Sequence, residues 1–245
     1  MLPPNRYNLP RAIYITRIQD GGLIVSEKFT ELLESNIKQA TKGQDAIFEL
    51  ETRAKECQGH LTSHNAHALI QRVALWSGNN KFAQSQIDDA SPFFKERMKT
   101  AIRYLLDPAK IALGLRRLAE LPGLGFVIAT NVYRFCCPDV GAAVNGRTAC
   151  FFNALDIIDA HGNRNKATNF IMESSGGRLS VCRATNSQRN RSEYLDVYLQ
   201  ILEQIANAMN RVSEKKYWRP AEVQMAVSHW WRAMGQRELS SFKVD

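Results

Sequence analysis

The sequence lacks any apolar run close to the roughly 18 residues that a membrane-spanning helix needs. The first eleven residues, MLPPNRYNLPR, also lack the apolar core of a signal peptide. We therefore expect an intracellular protein, in the cytoplasm or at the nucleoid. The five cysteines include no CxxC pair, and none of them follows Cys182. Such cysteine usage is typical of buried or free thiols in a reducing compartment.

Acidic residues are also in the minority, with 24 Asp and Glu against 32 Lys and Arg. The net charge of +8 favours a polyanionic partner, such as nucleic acid or an acidic membrane surface, without choosing between them. Of the 245 residues, 44% are hydrophobic and 23% are charged, which is ordinary for a soluble globular protein. This length allows one large domain or two lobes that share a core.

Strand patterns are scarce as well, because the apolar spacing is mostly helical. A single strand is predicted at 12–18, AIYITRI, with the turn QDGG after it. Helix starts are marked by Ser91, Asp107 and Arg219, each followed by a proline at the first helical position. Besides the helix that starts at Ser91, helices are predicted near 26–41, 44–57, 62–76, 108–119, 126–136, 194–208 and 220–234. The pattern predicts an all-α fold of eight or more helices, with a small N-terminal β element.

The stretch 161–192 breaks this pattern, since it is rich in Gly, Asn, Ser and Arg and shows little periodicity. Long segments of this kind in compact domains are often functional loops, although a mobile surface excursion has the same composition. Glu173 is the one acidic residue in this basic irregular insertion, which could contact a DNA backbone. Its basic residues are Arg164, Lys166, Arg178, Arg183, Arg189 and Arg191.

The stretch LPGLG, residues 121–125, lies between two predicted helices. Pro122 sets a turn, while Gly123 and Gly125 allow backbone conformations and close approaches that a side chain would block. The second helix therefore starts with backbone N–H groups at its positive end, which is a site for phosphate. Such a site recognises the DNA backbone rather than the base sequence. Turns of this kind also join helices that bind nothing.

Three segments together resemble the helix-hairpin-helix DNA glycosylase superfamily, which includes endonuclease III and 8-oxoguanine glycosylase. LPGLG is followed by a helix that contains Ala129. CPDVGAAVNGRT, residues 137–148, is similar to the segment that delivers the family's catalytic Asp about twenty residues after the hairpin. LWSGNNKFA, residues 75–83, is similar to the turn that carries the side chain inserted into the duplex. Order and spacing agree over about 60–156, and the wedge segment favours the 8-oxoguanine glycosylase branch.

The resemblance implies one two-lobed, all-α domain over 1–245, with the base pocket and the DNA cleft between the lobes. It also implies a wedge that fills the gap left by the flipped base. Asn79, with Asn80 beside it, matches that position, and a planar amide can hydrogen-bond the orphaned partner base in more than one way. A helix C-terminal cap is the alternative, because Gly and Asn commonly end helices.

In the resemblance, the hairpin residues Leu121, Gly123 and Gly125 hold a DNA phosphate, and a monovalent cation could bind at the hairpin. Many bifunctional members carry a lysine early in the next helix, but the matching residue here is Val127. A valine has no amine that could form a Schiff base with the sugar. The resemblance therefore implies a monofunctional glycosylase that leaves an intact abasic site. Endonuclease III holds an iron–sulfur cluster with four cysteines near its C-terminus. No cysteine follows Cys182 here, so we expect no iron–sulfur cluster and no other cofactor.

The position of the family's catalytic Asp matches Asn145. A carboxylate there stabilises the cationic sugar that develops as the base departs, so its loss is costly. Three explanations stay open: an inactivated variant that traps DNA, a natural pseudo-enzyme that binds without cutting, or an amide that orients water. Asp139 could substitute for the missing carboxylate, whereas Asn-Gly is also a common turn dipeptide. Arg147 could pair with a phosphate or with Asp139, and Arg134 is a weaker phosphate candidate.

In these glycosylases the C-terminal helices help to wall the base pocket, which implies a stacking aromatic ring and edge-reading polar groups there. We assign Trp218, Trp230 and Glu222 to the pocket, with Gln224 as a further polar candidate. Core packing is the alternative for the tryptophans. Three histidines share one predicted helix face: His60, His64 and His67. Because no cysteine or carboxylate completes a ligand set nearby, we expect no metal site.

The sequence therefore predicts a monofunctional DNA glycosylase that acts as a monomer on double-stranded DNA. It would flip a damaged or modified base and hydrolyse the N-glycosidic bond, in repair or in defence against modified foreign DNA. No membrane partner is expected. One alternative is a non-catalytic or inactivated DNA-binding protein on the same fold, for which Asn145 is the main support. Another is an all-α interaction protein with an incidental hairpin.

Overall fold

A computed structural model describes residues 9, 11–18, 22–40, 45–78, 91–175, 178–181, 187–213 and 217–241. The chain forms two compact units. Unit 1 combines Met1–Lys42 with Val144–Asp245, and unit 2 is Gly43–Ala143. Within the described ranges no helix is both long enough and apolar enough to cross a membrane.

The described part of the chain is mostly helical, as the apolar spacing predicts. In chain order the helices are α1 (Glu27–Ala40), α2 (Asp45–Gly59), α3 (Ser63–Trp76), α4 (Pro92–Leu105), α5 (Ile111–Ala119), α6 (Gly125–Cys136), α7 (Gly146–Ala154), α8 (Ser187–Ser192), α9 (Leu199–Val212) and α10 (Pro220–Ser241). A 3₁₀ turn at Pro108–Lys110 leads into α5, and a π-helical segment at Glu193–Tyr198 leads into α9. The strands are β1 (Tyr14–Arg17), β2 (Leu23–Val25), β3 (Asp156–Ile158), β4 (Arg164–Lys166), β5 (Met172–Ser175) and β6 (Arg178–Val181).

Local capping explains why several helices begin where the sequence predicts. The Thr62 hydroxyl accepts a hydrogen bond from the Asn65 N–H (3.1 Å) at the start of α3. The Ser91 hydroxyl accepts one from the Phe94 N–H (3.2 Å) at the start of α4. The Asp107 carboxylate accepts a hydrogen bond from the Ala109 N–H, at 3.1 Å, before α5. These side chains bond backbone N–H groups that have no partner within the helix. Each helix start can therefore be predicted from a few neighbouring residues.

Unit 1 contains a four-stranded sheet, so the all-α prediction is wrong in this respect. The strand order is β2-β1-β3-β4, with β1 antiparallel to β2 and parallel to β3. Ile15 lies opposite Val25 on one side and Ile157 on the other. The predicted strand at 12–18 is confirmed as β1, at the centre of this sheet. The other strands were missed because each has only three residues, too few to show an alternating pattern.

The segment 161–192 is not irregular throughout its described part, because it contains β4, β5, β6 and α8. Two side-chain amides form hydrogen bonds with the backbone of this segment, as a neighbouring strand would. Asn153 of α7 accepts a hydrogen bond from the Phe170 N–H (2.9 Å) and donates to the Phe170 carbonyl (2.8 Å). The buried Asn190 bonds both backbone groups of Ile171 in the same way, at 2.9 and 3.1 Å. Because these partners are distant in sequence, composition alone predicted a loop.

Aromatic side chains form much of the core of unit 1. The Phe151 ring of α7 lies 5.6 Å from Phe29 of α1 and 5.7 Å from Trp230 of α10, measured between ring centroids. The Phe152 ring lies 5.3 Å from Tyr198 of the π-helical segment. Such tilted and edge-to-face contacts add to the burial of apolar area. They fix α7 on more than one side within unit 1.

Candidate functional site

The predicted hairpin is a tight turn between α5 and α6, both in unit 2. Gly123 and Gly125 have φ angles of +79° and +68°, where other L-residues are strained. Leu121 and Leu124 are buried and anchor the turn, whereas Gly123 is exposed. The Leu124 N–H donates to the Leu121 carbonyl at 3.2 Å. The exposed tip therefore presents backbone in a fixed conformation, and α6 begins at Gly125 without a side-chain cap.

Asn145 is the N-cap of α7, in unit 1, and it is half-buried. Its Oδ1 accepts hydrogen bonds from the Arg147 N–H (2.9 Å) and the Thr148 N–H (3.1 Å). In return, the Asn145 N–H donates to the Thr148 Oγ1 at 3.0 Å. This capping box needs a side-chain acceptor at position 145, which Asn and Asp both supply. The residue that the resemblance places in the catalytic position thus also holds the start of a helix.

Asp139, the alternative carboxylate, is exposed in a turn of unit 2. The turn itself is closely packed. The Cys137 carbonyl accepts a hydrogen bond from the Gly141 N–H at 2.6 Å, and a Cβ on Gly141 would lie 2.8 Å from the same oxygen. Burial, followed by the Asp139 charge, raises the pKa of Cys137 to about 11. Because an exposed carboxylate is solvated by water, this placement does not favour Asp139 over Asn145 as the catalytic group.

Two exposed arginines of unit 1 interact electrostatically: Arg147 in the first turn of α7 and Arg232 on α10. Partial burial, followed by the charge of Arg232 on α10, lowers the pKa of Arg147. The ring centroids of Phe151 and Trp231 are 6.3 Å apart, so α7 and α10 pack together at this level. Like charges in proximity repel one another, and an anion between them would relieve the repulsion. Sequence reasoning found Arg147 but missed Arg232, because nothing local connects the two positions.

The two tryptophans assigned to the base pocket differ in their surroundings. Trp230 is half-buried and packs edge-on against Phe151. Trp218 is only 2% exposed, and its backbone N–H and carbonyl are both bonded to the Asn210 side chain, at 2.6 and 2.9 Å. Trp218 is therefore a core residue of unit 1, which was the alternative for it. A stacking role stays a prediction for Trp230.

The polar pocket candidates both lie near the start of α10. The buried Glu222 carboxylate accepts hydrogen bonds from the Arg219 guanidinium (2.6 Å) and the Arg219 N–H (3.0 Å). This carboxylate therefore fixes the start of α10. Gln224 is 5% exposed, and its Oε1 has no hydrogen-bond partner among the described residues. Of the two side chains, Gln224 retains the capacity to accept a hydrogen bond from a ligand.

The cavity described in unit 1 is not where the resemblance places a base. It has a volume of about 350 Å³ and lies beside the four-stranded sheet. Arg17 of β1, Lys166 of β4, Asp196 of the π-helical segment and Gln200 of α9 are among its lining residues. The cavity lining includes none of the residues assigned to the base pocket. Lys166 is also bound to Asp156, at 2.8 Å, so it is already neutralised in part.

The wedge residues Asn79 and Asn80 lie outside the described residues. The end of α3 directly before them is described. Gly78 has a φ of +78°, which suits a glycine that ends a helix, as the capping alternative proposed. The Ser77 Oγ accepts a hydrogen bond from the Nδ2 of Asn131 at 3.0 Å. Since Asn131 belongs to α6, the helix that follows the hairpin is bonded to the end of α3 within unit 2.

The suggested phosphate contact through Arg134 is wrong, because its side chain is fully buried in unit 2. The guanidinium carbon lies 4.3 Å from the ring centroid of Phe135 and 5.8 Å from that of Trp76. Its Nη2 lies 3.6 Å from the Oε1 of Glu51 on α2. Cation–π contacts and an ion pair thus hold α6 to α2 and α3. Arg134 supports the helix behind the hairpin from the inside.

In the described ranges, no group of three or more His, Cys, Asp or Glu side chains could hold a metal ion. Of the three histidines, His67 is buried in α3, while His60 and His64 are exposed. The sequence predicted free thiols, and four cysteines are confirmed as such: Cys57, Cys136, Cys137 and Cys150. Cys182 lies outside the described residues.

In comparisons with protein-family models, curated proteins and solved structures, nothing matches this chain. Its function has to be inferred from its own residues. The residues whose chemistry suits a polyanionic partner are the hairpin at 121–125, the start of α7 at Asn145, and the arginines at 147 and 232.

Proposed function

We propose that this protein is a monofunctional DNA glycosylase of the helix-hairpin-helix kind, with units 1 and 2 as the two lobes of that fold. The observation that carries the proposal is the turn at 121–125. It combines two glycines at positive φ, an exposed tip, and a helix start without a side-chain cap directly behind it. These features suit a DNA phosphate held by backbone N–H groups. The spacing from this turn to Asn145 supports the same proposal.

The substrate would be double-stranded DNA with a damaged or modified base, in repair or in defence against foreign DNA. The base would be turned out of the stack before its bond to the sugar is cut. The N-glycosidic bond then breaks with its electron pair leaving on the base, and a water oxygen bonds to C1′. The water loses a proton and the departing base gains one. Because Val127 stands where a lyase would need a lysine, the products are a free base and an unbroken abasic strand.

Asn145 would stand beside the sugar and orient the water. Its Oδ1 already accepts two backbone N–H groups, so its Nδ2 is the group that would donate to the water oxygen. The positive end of α7 and the charge of Arg147 disfavour a cationic sugar nearby, and a neutral amide does not offset them. We therefore expect slow excision by the unchanged chain. Following the resemblance, Asn79 and Asn80 would fill the gap in the duplex, and Trp230 would stack on the base.

A non-catalytic DNA-binding protein is the second candidate. The observation in its favour is the neutral Asn145, whose oxygen is engaged in capping α7. Such a protein would bind modified duplexes with the same hairpin but would release no base. Repeated excision on any duplex excludes this candidate.

The proposal is tested by incubating the protein with duplexes that each carry one damaged or modified base, and with phage DNA whose bases are modified. Abasic sites are converted to strand breaks by alkali. We expect breaks at the modified base after alkali and no breaks before it. Strand cleavage without alkali would contradict the monofunctional assignment. A complete lack of abasic sites, together with duplex binding, would favour the second candidate.

The hairpin can be tested with the Gly125→Asn variant. A Cβ at Gly125 meets no atom within 4 Å, and Asn tolerates positive φ better than most residues, so the free energy of unfolding should fall by only about 1 kcal/mol. The new side chain would stand where a phosphate approaches, and we expect the Kd for duplex DNA to rise roughly tenfold. The matched control is Gly162→Asn, since Gly162 has a φ of +82° and equally open space. Equal affinity of the Gly125→Asn form and the unchanged chain would contradict a phosphate contact here.

The role of Arg147 on α7 and Arg232 on α10 is tested through the salt dependence of duplex binding. In the Arg147→Gln and Arg232→Gln variants we expect the slope of log K against log salt to fall by about 0.9 each, the value for one lost phosphate contact. Neither change should reduce stability, because each removes one of two repelling charges. Arg53→Gln is the control, since Arg53 is an exposed arginine of unit 2 that pairs with Glu49. An unchanged slope in Arg232→Gln would show that Arg232 makes no contact with a DNA phosphate.

A further inference from the structure

The cavity of about 350 Å³ in unit 1 has no part in the proposed glycosylase chemistry. One face of the four-stranded sheet forms part of its wall. Ile157 of β3 lies opposite Asn165 of β4, so their side chains share a face of the sheet, and both line the cavity. Arg17 at the end of β1 also lines it, because it stands two residues after Ile15, which lies opposite Ile157. The sheet therefore contributes an apolar side chain, an amide and a guanidinium to the wall.

A helical stripe forms another part of the wall. Asp196 of the π-helical segment, with Gln200 and Gln204 of α9, lines the cavity at intervals of four residues. Side chains at this spacing lie on nearly the same side of a helix. Val197 and Ile201 line the cavity beside them. A helix that covers a sheet usually does so with apolar side chains, so three polar side chains in this position indicate a ligand site rather than core packing.

The π-helical segment coincides with this cavity. Two of its six residues, Asp196 and Val197, are lining residues. Segments of this kind are rare in proteins and frequent at functional sites. The position of the segment is therefore a second observation, independent of the polar lining, that points to a ligand here.

Two of the four charged lining residues already have partners within the protein. The Nζ of Lys166 lies 2.8 Å from the Oδ1 of Asp156. The Oδ1 of Asp159 accepts hydrogen bonds from the His161 N–H (2.8 Å) and the Asn163 N–H (2.9 Å). Lys166 is thus neutralised in part by Asp156, and Asp159 stabilises its own turn.

Arg17 and Asp196 are the other two charged lining residues. Neither side chain forms a hydrogen bond or an ion pair with another residue in the described ranges. One positive and one negative group are thus open to a ligand in the same cavity, and they are not paired with each other. A ligand with a single charge would satisfy only one of them. Charge complementarity therefore favours a ligand that carries both signs.

We propose that this cavity binds a small zwitterion, an α-amino acid with an uncharged polar side chain. The Arg17 guanidinium holds its carboxylate, and the Asp196 carboxylate holds its ammonium group. A guanidinium and a carboxylate form two parallel hydrogen bonds, which also fix the orientation of the ligand. The amides of Asn165, Gln200 and Gln204 each donate and accept hydrogen bonds, so they suit an uncharged polar side chain. The volume of about 350 Å³ is sufficient for one such molecule.

Isothermal titration calorimetry of the full chain, without DNA, tests the proposal with the standard α-amino acids as probes. We expect a Kd below about 1 mM for at least one with an uncharged polar side chain, such as glutamine, asparagine or serine. The same amino acid should bind at least about tenfold more weakly when its carboxylate is amidated or its amine is acetylated. A Kd above about 1 mM for every such amino acid overturns the proposal. Equally tight binding of propionate or inorganic phosphate would identify an anion site and overturn it as well.

Two variants and their controls test whether the ligand lies in this cavity. Arg17→Gln and Asp196→Asn should each raise the Kd about tenfold or more, because each removes one charged contact. The controls are Arg164→Gln on β4 and Glu203→Gln on α9, which alter exposed side chains outside the cavity lining. Arg17 and Asp196 are exposed as well, so all four variants should have nearly the thermal midpoint of the unchanged chain. An unchanged Kd in Arg17→Gln or Asp196→Asn, or an equal rise in the controls, overturns the proposal.

The modified amino acids then show which residue binds which end of the ligand. With the amidated ligand, Arg17→Gln should cause no further loss of affinity, and with the acetylated ligand, Asp196→Asn should cause none, since the group that each residue binds is already gone. Full losses in these combinations would overturn the assigned contacts. Because the measurements need no DNA, they decide on the amino-acid site even if the protein excises no base.

Discussion

The Asn145→Asp form is expected to excise a modified base faster than the unchanged chain by a factor of about 10²–10³, the usual loss when one group aimed at a developing charge is removed. A carboxylate at position 145 would stabilise the cationic sugar. It would also neutralise the positive end of α7, which otherwise opposes that charge. Because Asp caps helices as well as Asn does, the capping box with Thr148 should persist. Catalysis should therefore change without a loss of stability.

The measurement for this prediction is the single-turnover rate of abasic-site formation on one duplex, with the thermal midpoint recorded for each form. Asn145→Ser is the matched control, because it keeps a capping oxygen but supplies neither charge nor amide. Asn145→Ala removes the cap and should cost about 1 kcal/mol of stability. An Asn145→Asp rate no higher than that of Asn145→Ser would show that position 145 is not the catalytic position.

Removal of the buried guanidinium in Arg134→Met is expected to lower the free energy of unfolding by about 3 kcal/mol, at the low end of what breaking a buried ion pair costs. The low end applies because the Glu51 side chain is 21% exposed and can turn to water once its partner is gone. The cation–π contacts with Phe135 and Trp76 are lost as well. Since Arg134 belongs to α6, the helix behind the hairpin should loosen with it.

Guanidinium chloride unfolding of Arg134→Met and Arg53→Met makes this test specific. Both arginines pair with a glutamate of α2, but Arg53 does so on the surface, at 2.8 Å from Glu49. Exposed pairs contribute little, so Arg53→Met should change stability by less than about 1 kcal/mol. Equal stability of the two variants would contradict a structural role for the buried pair.

Features that depend on neighbouring residues could be predicted from the sequence. The starts of α3 and α4 follow from Thr62 and Ser91, whose hydroxyls cap backbone groups three residues away. The hairpin follows from Gly123 and Gly125, which alone in LPGLG can adopt positive φ without strain. The capping role of Asn145 is local in the same sense, but the helix Gly146–Ala154 that it starts was not predicted, because Asn-Gly was interpreted as a turn.

Features that depend on distant residues could not be predicted in this way. The parallel pairing of β1 with β3 joins Tyr14 to Asp156, and no local pattern connects them. The electrostatic interaction of Arg147 with Arg232 is of the same kind. Composition shows that tryptophans are concentrated near the C-terminus but not which of them is buried. Trp218 therefore entered the predicted pocket although it packs in the core.

The central claim is that this chain releases a base from DNA, and mass spectrometry of the released base tests it most directly. The unchanged chain, Asn145→Asp and Asn145→Ser would each be incubated with the panel of modified duplexes and with modified phage DNA. We predict one free base, equimolar with the abasic sites and released fastest by Asn145→Asp. No released base from any DNA in any form, together with duplex binding that does not weaken with salt, would contradict the account.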